Sequence, residues 1–207
     1  MRHLLLPIAL TALLPTMAHA ADRDRGLYLS AGGTMRFLPA LDDWVDRGRG
    51  SVVEFGWRQA PFSAGLLLAA STHNVTHYEI QGENDDAPKI GGDVFAWRAG
   101  AVGRFRPVAG DVVALSLRAE AGASGWNAAI DEQAWDEFVA YTLGPDAQRS
   151  ATGFWAAVGP GLDLTLPILE EGNAQPRAIF EVLGGWQQAG NLSGPQIDLR
   201  MTLVAPL

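Results

Sequence analysis

The sequence predicts an all-β fold: an eight-stranded antiparallel up-and-down transmembrane β-barrel with a polar, side-chain-filled interior. Three observations predict it. Eight segments alternate apolar and polar residues with a period of two, the period of a strand whose two faces meet different surroundings. The connections between these segments alternate between short and long. The polar parity is rich in glycine and in Arg with Asp or Glu, while aromatic residues sit on the apolar parity near segment ends. Alternation alone suits a soluble sheet as well, so the other two observations decide.

The first segment, 27–38, sets Leu27, Leu29, Ala31, Met35 and Phe37 against Tyr28, Ser30, Thr34 and Arg36. The second, 51–58, sets Val53, Phe55 and Trp57 against Val52, Glu54 and Arg58. The third, 62–72, is less clear, because leucine and alanine occupy both parities. The fourth, 93–106, puts Phe95, Trp97 and Phe105 opposite Arg98 and Arg104. The fifth, 111–124, puts Val113, Leu115 and Leu117 opposite Ser116, Arg118 and Glu120. In the sixth, 152–166, Phe154, Val158 and Leu162 oppose Gly159, Gly161 and Asp163. In the seventh, 177–188, Phe180, Val182 and Trp186 oppose Glu181 and Gly185. In the eighth, 195–205, Ile197, Leu199, Met201 and Leu203 oppose Asp198 and Arg200.

Short links join segments two and three, four and five, and, more loosely, six and seven. The other links are mostly long: 39–50, 73–92 and 125–151. Short turns at one end and long loops at the other describe a membrane barrel with periplasmic turns and extracellular loops. The glycines suit a crowded interior. Arginine without lysine suits fixed, multiply bonded pairs in a confined space, and Lys89 is the sole lysine of the chain. Phe37, Trp57, Phe62, Phe95, Trp97, Phe105 and Trp186 are placed for interfacial girdles.

Ahead of the strands, residues 1–20 read as a secretory signal peptide. Arg2 and His3 begin it, Leu4 to Leu14 form a short apolar run, and Ala18-His19-Ala20 supplies the cleavage motif. Residues 21–207 then form a single barrel domain. The chain has no cysteine and a formal net charge of −8. Loss of Arg2 with the signal peptide makes the mature chain one unit more negative. This excludes nucleic acid as a partner.

Taken together, the export signal and the eight amphipathic strands resemble the small eight-stranded outer-membrane barrels of Gram-negative bacteria, the outer-membrane protein A and X type. The resemblance covers about residues 26–207 and lies in pattern and topology rather than in a sharp motif. It implies outer-membrane localisation, with membrane lipid and lipopolysaccharide as surroundings. Many such proteins end in an aromatic residue that assists assembly, whereas this sequence ends "RMTLVAPL".

An eight-stranded barrel is filled by its own side chains, so the expected role is structural or cell-surface interaction rather than a wide pore. Arg36, Glu54, Arg58, Arg98, Arg104, Arg118, Glu120, Asp163, Glu181, Asp198 and Arg200 share the inward parity. They form the expected interior polar network, each charge neutralising another. Two other readings remain open. Some barrels of this size act on lipid A as acyl transferases or deacylases, using a His with a Ser and an acid. Here Ser71, His73, His77 and Glu79 offer catalytic candidates, against two exposed loop histidines. The other reading is a soluble periplasmic lipocalin-like lipid carrier, with the apolar face inward. No cofactor and no metal is expected, since the acidic runs Asp42, Asp43, Asp46 and Glu83 to Asp86 lack EF-hand spacing. The stretch 126–146 of the third long loop reads as partly helical, with Ile130, Ala134, Trp135, Phe138 and Tyr141 near a three-to-four spacing, capped by Asn127 or Asp131 and stopped by Gly144-Pro145; it serves as a lid in preference to a partner patch. A monomer is expected, with any extracellular partner meeting loops 73–92 and 125–151.

Overall fold

The structure is a computed structural model that describes residues 25–38, 45–75, 92–110, 112–130, 135–136, 148–168, 175–190 and 193–207. Its strands are β1 (Arg25–Phe37), β2 (Gly48–Gln59), β3 (Phe62–Asn74), β4 (Gly92–Ala109), β5 (Val113–Ile130), β6 (Ser150–Thr165), β7 (Arg177–Gln188) and β8 (Gly194–Pro206). Each pairs antiparallel with the next, and β8 pairs with β1 to close the barrel. Closure leaves no strand edge unpaired, which a bilayer demands.

The register fixes the tilt. A path of directly paired residues runs from Leu27 through Trp57, Ala64, Gly103, Ala119, Val158, Gly184 and Ile197, and returns to β1 at Phe37. The path therefore climbs ten positions along β1 in one circuit, and the strands lean steeply against the barrel axis, as closure with stagger requires.

Around the waist the apolar parity faces outward. Leu66 and Leu68 are 69% and 64% exposed and Val158 is 61% exposed, whereas Arg36 and Asp198 are fully buried. A belt of this size has no place on a soluble monomer and meets lipid. The carrier reading is thereby corrected: the charges are inside and the apolar side chains outside. Leu67, on the ambiguous third segment, points inward and packs with Val52, Val102, Trp155 and Leu183. Trp57, Phe62 and Phe105 ring the short-turn end, with Phe62 and Phe105 stacked 5.0 Å apart. Phe37, Trp97, Phe154 and Trp186 ring the other end on the same outward parity.

Above this second ring the polarity inverts. Arg47, Arg49, Thr72, Asn74, Asp93, Asn127, Ser150 and Thr152 are exposed. Inside, Leu38, Val45, Val75, Val94, Ala96, Trp126, Ala128, Ile130 and Trp135 form one buried apolar cluster. Outside the bilayer, water replaces lipid, and the barrel takes the apolar-in pattern of a soluble sheet. This corrects the reading of the third long loop. β5 runs on to Ile130, so Asn127 is a strand residue and caps no helix. Trp135 and Asp136 are helical, and Trp135 is buried in this cluster at the long-loop end. Asp131, Ala134, Phe138, Tyr141, Gly144 and Pro145 lie outside the described residues.

Candidate functional site

The interior charges come from every strand except β3. Arg36 is on β1; Glu54 and Arg58 on β2; Arg98, Arg104 and Arg106 on β4; Arg118 and Glu120 on β5; Asp163 on β6; Glu181 on β7; Asp198 and Arg200 on β8. All are buried. They join into a chain that runs down the lumen. Near the long-loop end, Asp198 accepts from Arg36 at 3.3 Å, from Arg98, and from Arg200 at 3.0 Å. Arg200 forks onto both oxygens of Glu120 at 2.6 Å each. Glu120 also accepts from Arg118 Nε at 2.9 Å. Arg118 Nη1 reaches Glu54 at 2.7 Å and Glu181 at 3.3 Å, and Arg104 closes the chain on Glu181 at 2.8 Å.

Below this chain Asp163 accepts from Ser116 at 2.8 Å and faces Arg106 at 3.6 Å. Arg106, the last residue of the fourth segment and on the parity of Arg98 and Arg104, belongs to the interior set, which the sequence reading ended at Arg104. In the structure β4 continues past it, with a register shift between Phe105 and Val108. Two of these interior arginines also lie over rings: Arg58 over Tyr28 at 5.3 Å and Arg98 over Trp155 at 4.6 Å. Tyr28 donates its hydroxyl to Glu54. It can lie across the lumen because Gly56 and Gly65 face it; a Cβ at either would fall within 3.0 Å of its oxygen.

Ser71 and His73 are brought together on β3, but inside the barrel mouth rather than on a loop. Both point inward and are buried, which corrects the picture of an exposed loop histidine. His73 Nδ1 lies 3.1 Å from the Asp46 carbonyl and Nε2 lies 3.2 Å from Ser71 Oγ. A carbonyl can only accept, so Nδ1 carries the proton and Nε2 accepts from the serine hydroxyl. The ring sits against Gly48, where a Cβ would collide with it at 2.3 Å. A nucleophile needs a place for the reacting carbonyl, and Ser71 is sealed from both lipid and water. Ser71 should therefore stay unlabelled by a fluorophosphonate probe on the folded barrel, checked by intact-protein mass; rapid labelling would show an accessible nucleophile. His77, Glu79 and the acidic runs at 42–43 and 83–86 lie outside the described residues.

A closed barrel with lipid-facing apolar residues and a charged, filled lumen defines a small transmembrane barrel of the outer-membrane type. No family model matches the chain, and no curated protein matches it in sequence. Solved structures match it in fold. Neisserial surface protein A matches at a TM-score of 0.56 and 11% identity, over 89% of this chain and 99% of that one. Ail, the attachment invasion locus protein of Yersinia pestis, in complex with the heparin analogue sucrose octasulfate, matches at a TM-score of 0.48 and 13% identity, over 87% and 97% of the two chains.

Proposed function

We propose that the chain is an outer-membrane barrel of structural or surface-interaction role, exported by cleavage after Ala20, and not a diffusion pore. The observation that carries this reading is the lumen. Arg118 alone engages Glu54, Glu120 and Glu181, and buried pairs of this kind leave the centre of the barrel to side chains rather than solute. The apolar cluster around Trp126 and Trp135 closes the long-loop mouth as well. Function then falls to the outer rim and to loops 73–92 and 125–151. The mature protein, 21–207, acts as one domain and one monomer, surrounded by lipid and lipopolysaccharide.

Cell fractionation, electrophoresis and reconstitution test this together. The protein should sediment with the outer membrane, resist alkaline extraction and shift mobility on heating. An epitope inserted at Asp146 should be labelled on intact cells. Vesicles containing the folded protein should admit sucrose no faster than empty ones. Soluble release, labelling only in broken cells, or rapid swelling would each overturn a separate part of the reading.

A further inference from the structure

At the long-loop rim, β4, β5, β6 and the Gly190 turn after β7 frame a cleft of about 540 Å³, open on the outward side and reaching over the rim to Trp126 and Ala151. Its wall is Trp97, half-buried on β4. Trp97 pairs with Gly125 on β5, which pairs with Thr152 on β6. The indole lies over the glycine: a Cβ at Gly125 would fall 2.6–2.7 Å from three ring atoms. Only a glycine lets the ring lie down on the sheet with its other face turned outward. One row above, Phe95 pairs with Asn127 and Asn127 with Ser150. Asn127, Ser150 and Thr152 are exposed on this side, and Gln148 adds a second amide.

Among the described residues the lining of this cleft carries no charged side chain. Its chemistry is the Trp97 face beside two amides and two hydroxyls, with Ala151, Gly190 and the edge of Trp126, whose N–H is held by the Ala189 carbonyl, at its inner end. The indole face is negative in its quadrupole and attracts the weakly positive C–H face of a sugar ring. Amides and hydroxyls both donate and accept, as sugar hydroxyls do. An interfacial tryptophan alone would account for Trp97, but not for a glycine seat beneath it or for neutral hydrogen-bonding groups around it. We propose that this cleft binds a neutral hexose unit of a glycan. The proposal rests on the surface-interaction reading and names a ligand class for it. The rim lies just above the lipid-facing belt, within reach of a glycolipid's sugars and of a soluble glycan alike.

The test uses the folded mature barrel in nanodiscs. One arm titrates soluble maltotetraose, cellotetraose and chitotetraose into discs of plain phospholipid. The other compares capture of rough lipopolysaccharide, which carries core sugars, with that of lipid A, which lacks them. Binding in either arm is expected, and the arm identifies the source. Trp97→Ala and Asn127→Ala should each weaken it about tenfold or more, equivalent to about 1.4 kcal/mol. Gly125→Ala should weaken it too by displacing the ring, and Trp97→Phe should retain part. Heat-modifiable mobility checks that every variant is folded. If neither arm binds, or if folded Trp97→Ala binds as well as the parent, the site is overturned. The epitope experiment is independent, so surface display without sugar binding removes the site and leaves the broader reading standing.

Discussion

Replacing Arg118 with alanine should destabilise the folded barrel by about 3–5 kcal/mol, the cost of breaking a buried pair by removing one partner. Arg118 is the centre of the network, engaging Glu54 at 2.7 Å, Glu120 at 2.9 Å and Glu181 at 3.3 Å. Its three partners are not left equally exposed by the loss. Glu120 keeps Arg200 at 2.6 Å, and Glu181 keeps Arg104 at 2.8 Å. Glu54 keeps the Tyr28 hydroxyl and an arginine only at 3.7 Å. The cost should therefore concentrate at Glu54. Adding Glu54→Gln to Arg118→Ala should restore part of the stability, with Glu120→Gln restoring less. Arg118→Lys should recover little, because one ammonium cannot replace a planar fork that spans three carboxylates. Urea unfolding in lipid vesicles, read as a double-mutant cycle, measures these couplings. A loss below about 0.5 kcal/mol, the range of surface changes, would mean that the network does not hold the lumen together.

How far the sequence could be read depended on where each residue stands relative to the bilayer. Within the belt, lipid outside and charge inside give two sharply different parities, and seven strands were readable by them; the third, with no charge and with Leu67 inward, was found as a strand but its faces were ambiguous. The seventh, 177–188, has the observed bounds of β7. Beyond the belt the rule reverses, and the reading failed where it reversed. Trp126, Ala128 and Ile130 continue β5 with apolar residues inward. Judged by the rule that apolar means outward, they broke the alternation, and the segment read as the start of a helix. The exposure of His73 was misjudged for the same reason. It lies one turn of the pleat from Thr72 and Asn74, which are polar and outward, yet it is itself polar and inward. Polarity could not assign its face; parity counted from Leu67 and Ser71 could have. Which charge meets which was not readable at all, because pairing depends on the ten-residue stagger that only closure sets. The Trp97 seat was hidden likewise: Gly125 lies 28 positions along the chain, and only register places it under the ring.

The same stagger decides where a charge on the outer face does most harm. Arginine at the bilayer midplane of a barrel costs roughly 2–4 kcal/mol, falling to about 0–1 near the interfaces. Leu117 is 51% exposed on the lipid side, but it pairs with Phe105, which pairs with Phe62. These aromatics mark the short-turn edge of the belt, and Leu117 stands only two strands along a slowly climbing row from that edge. Leu66 lies about midway along β3 between Phe62 and Thr72, where the exposed face turns polar, and it is 69% exposed. Leu66→Arg should therefore lose the full roughly 2–4 kcal/mol, while Leu117→Arg should lose less, since its long side chain can reach the nearby interface. Urea unfolding of both variants in lipid vesicles reads the difference. No lumen substitution should rescue either, because the partner that is wrong is the lipid itself. If Leu66→Arg folds, inserts and resists urea as the parent does, this face does not meet lipid. If Leu117→Arg proves the costlier of the two, the belt is placed too far toward the long loops.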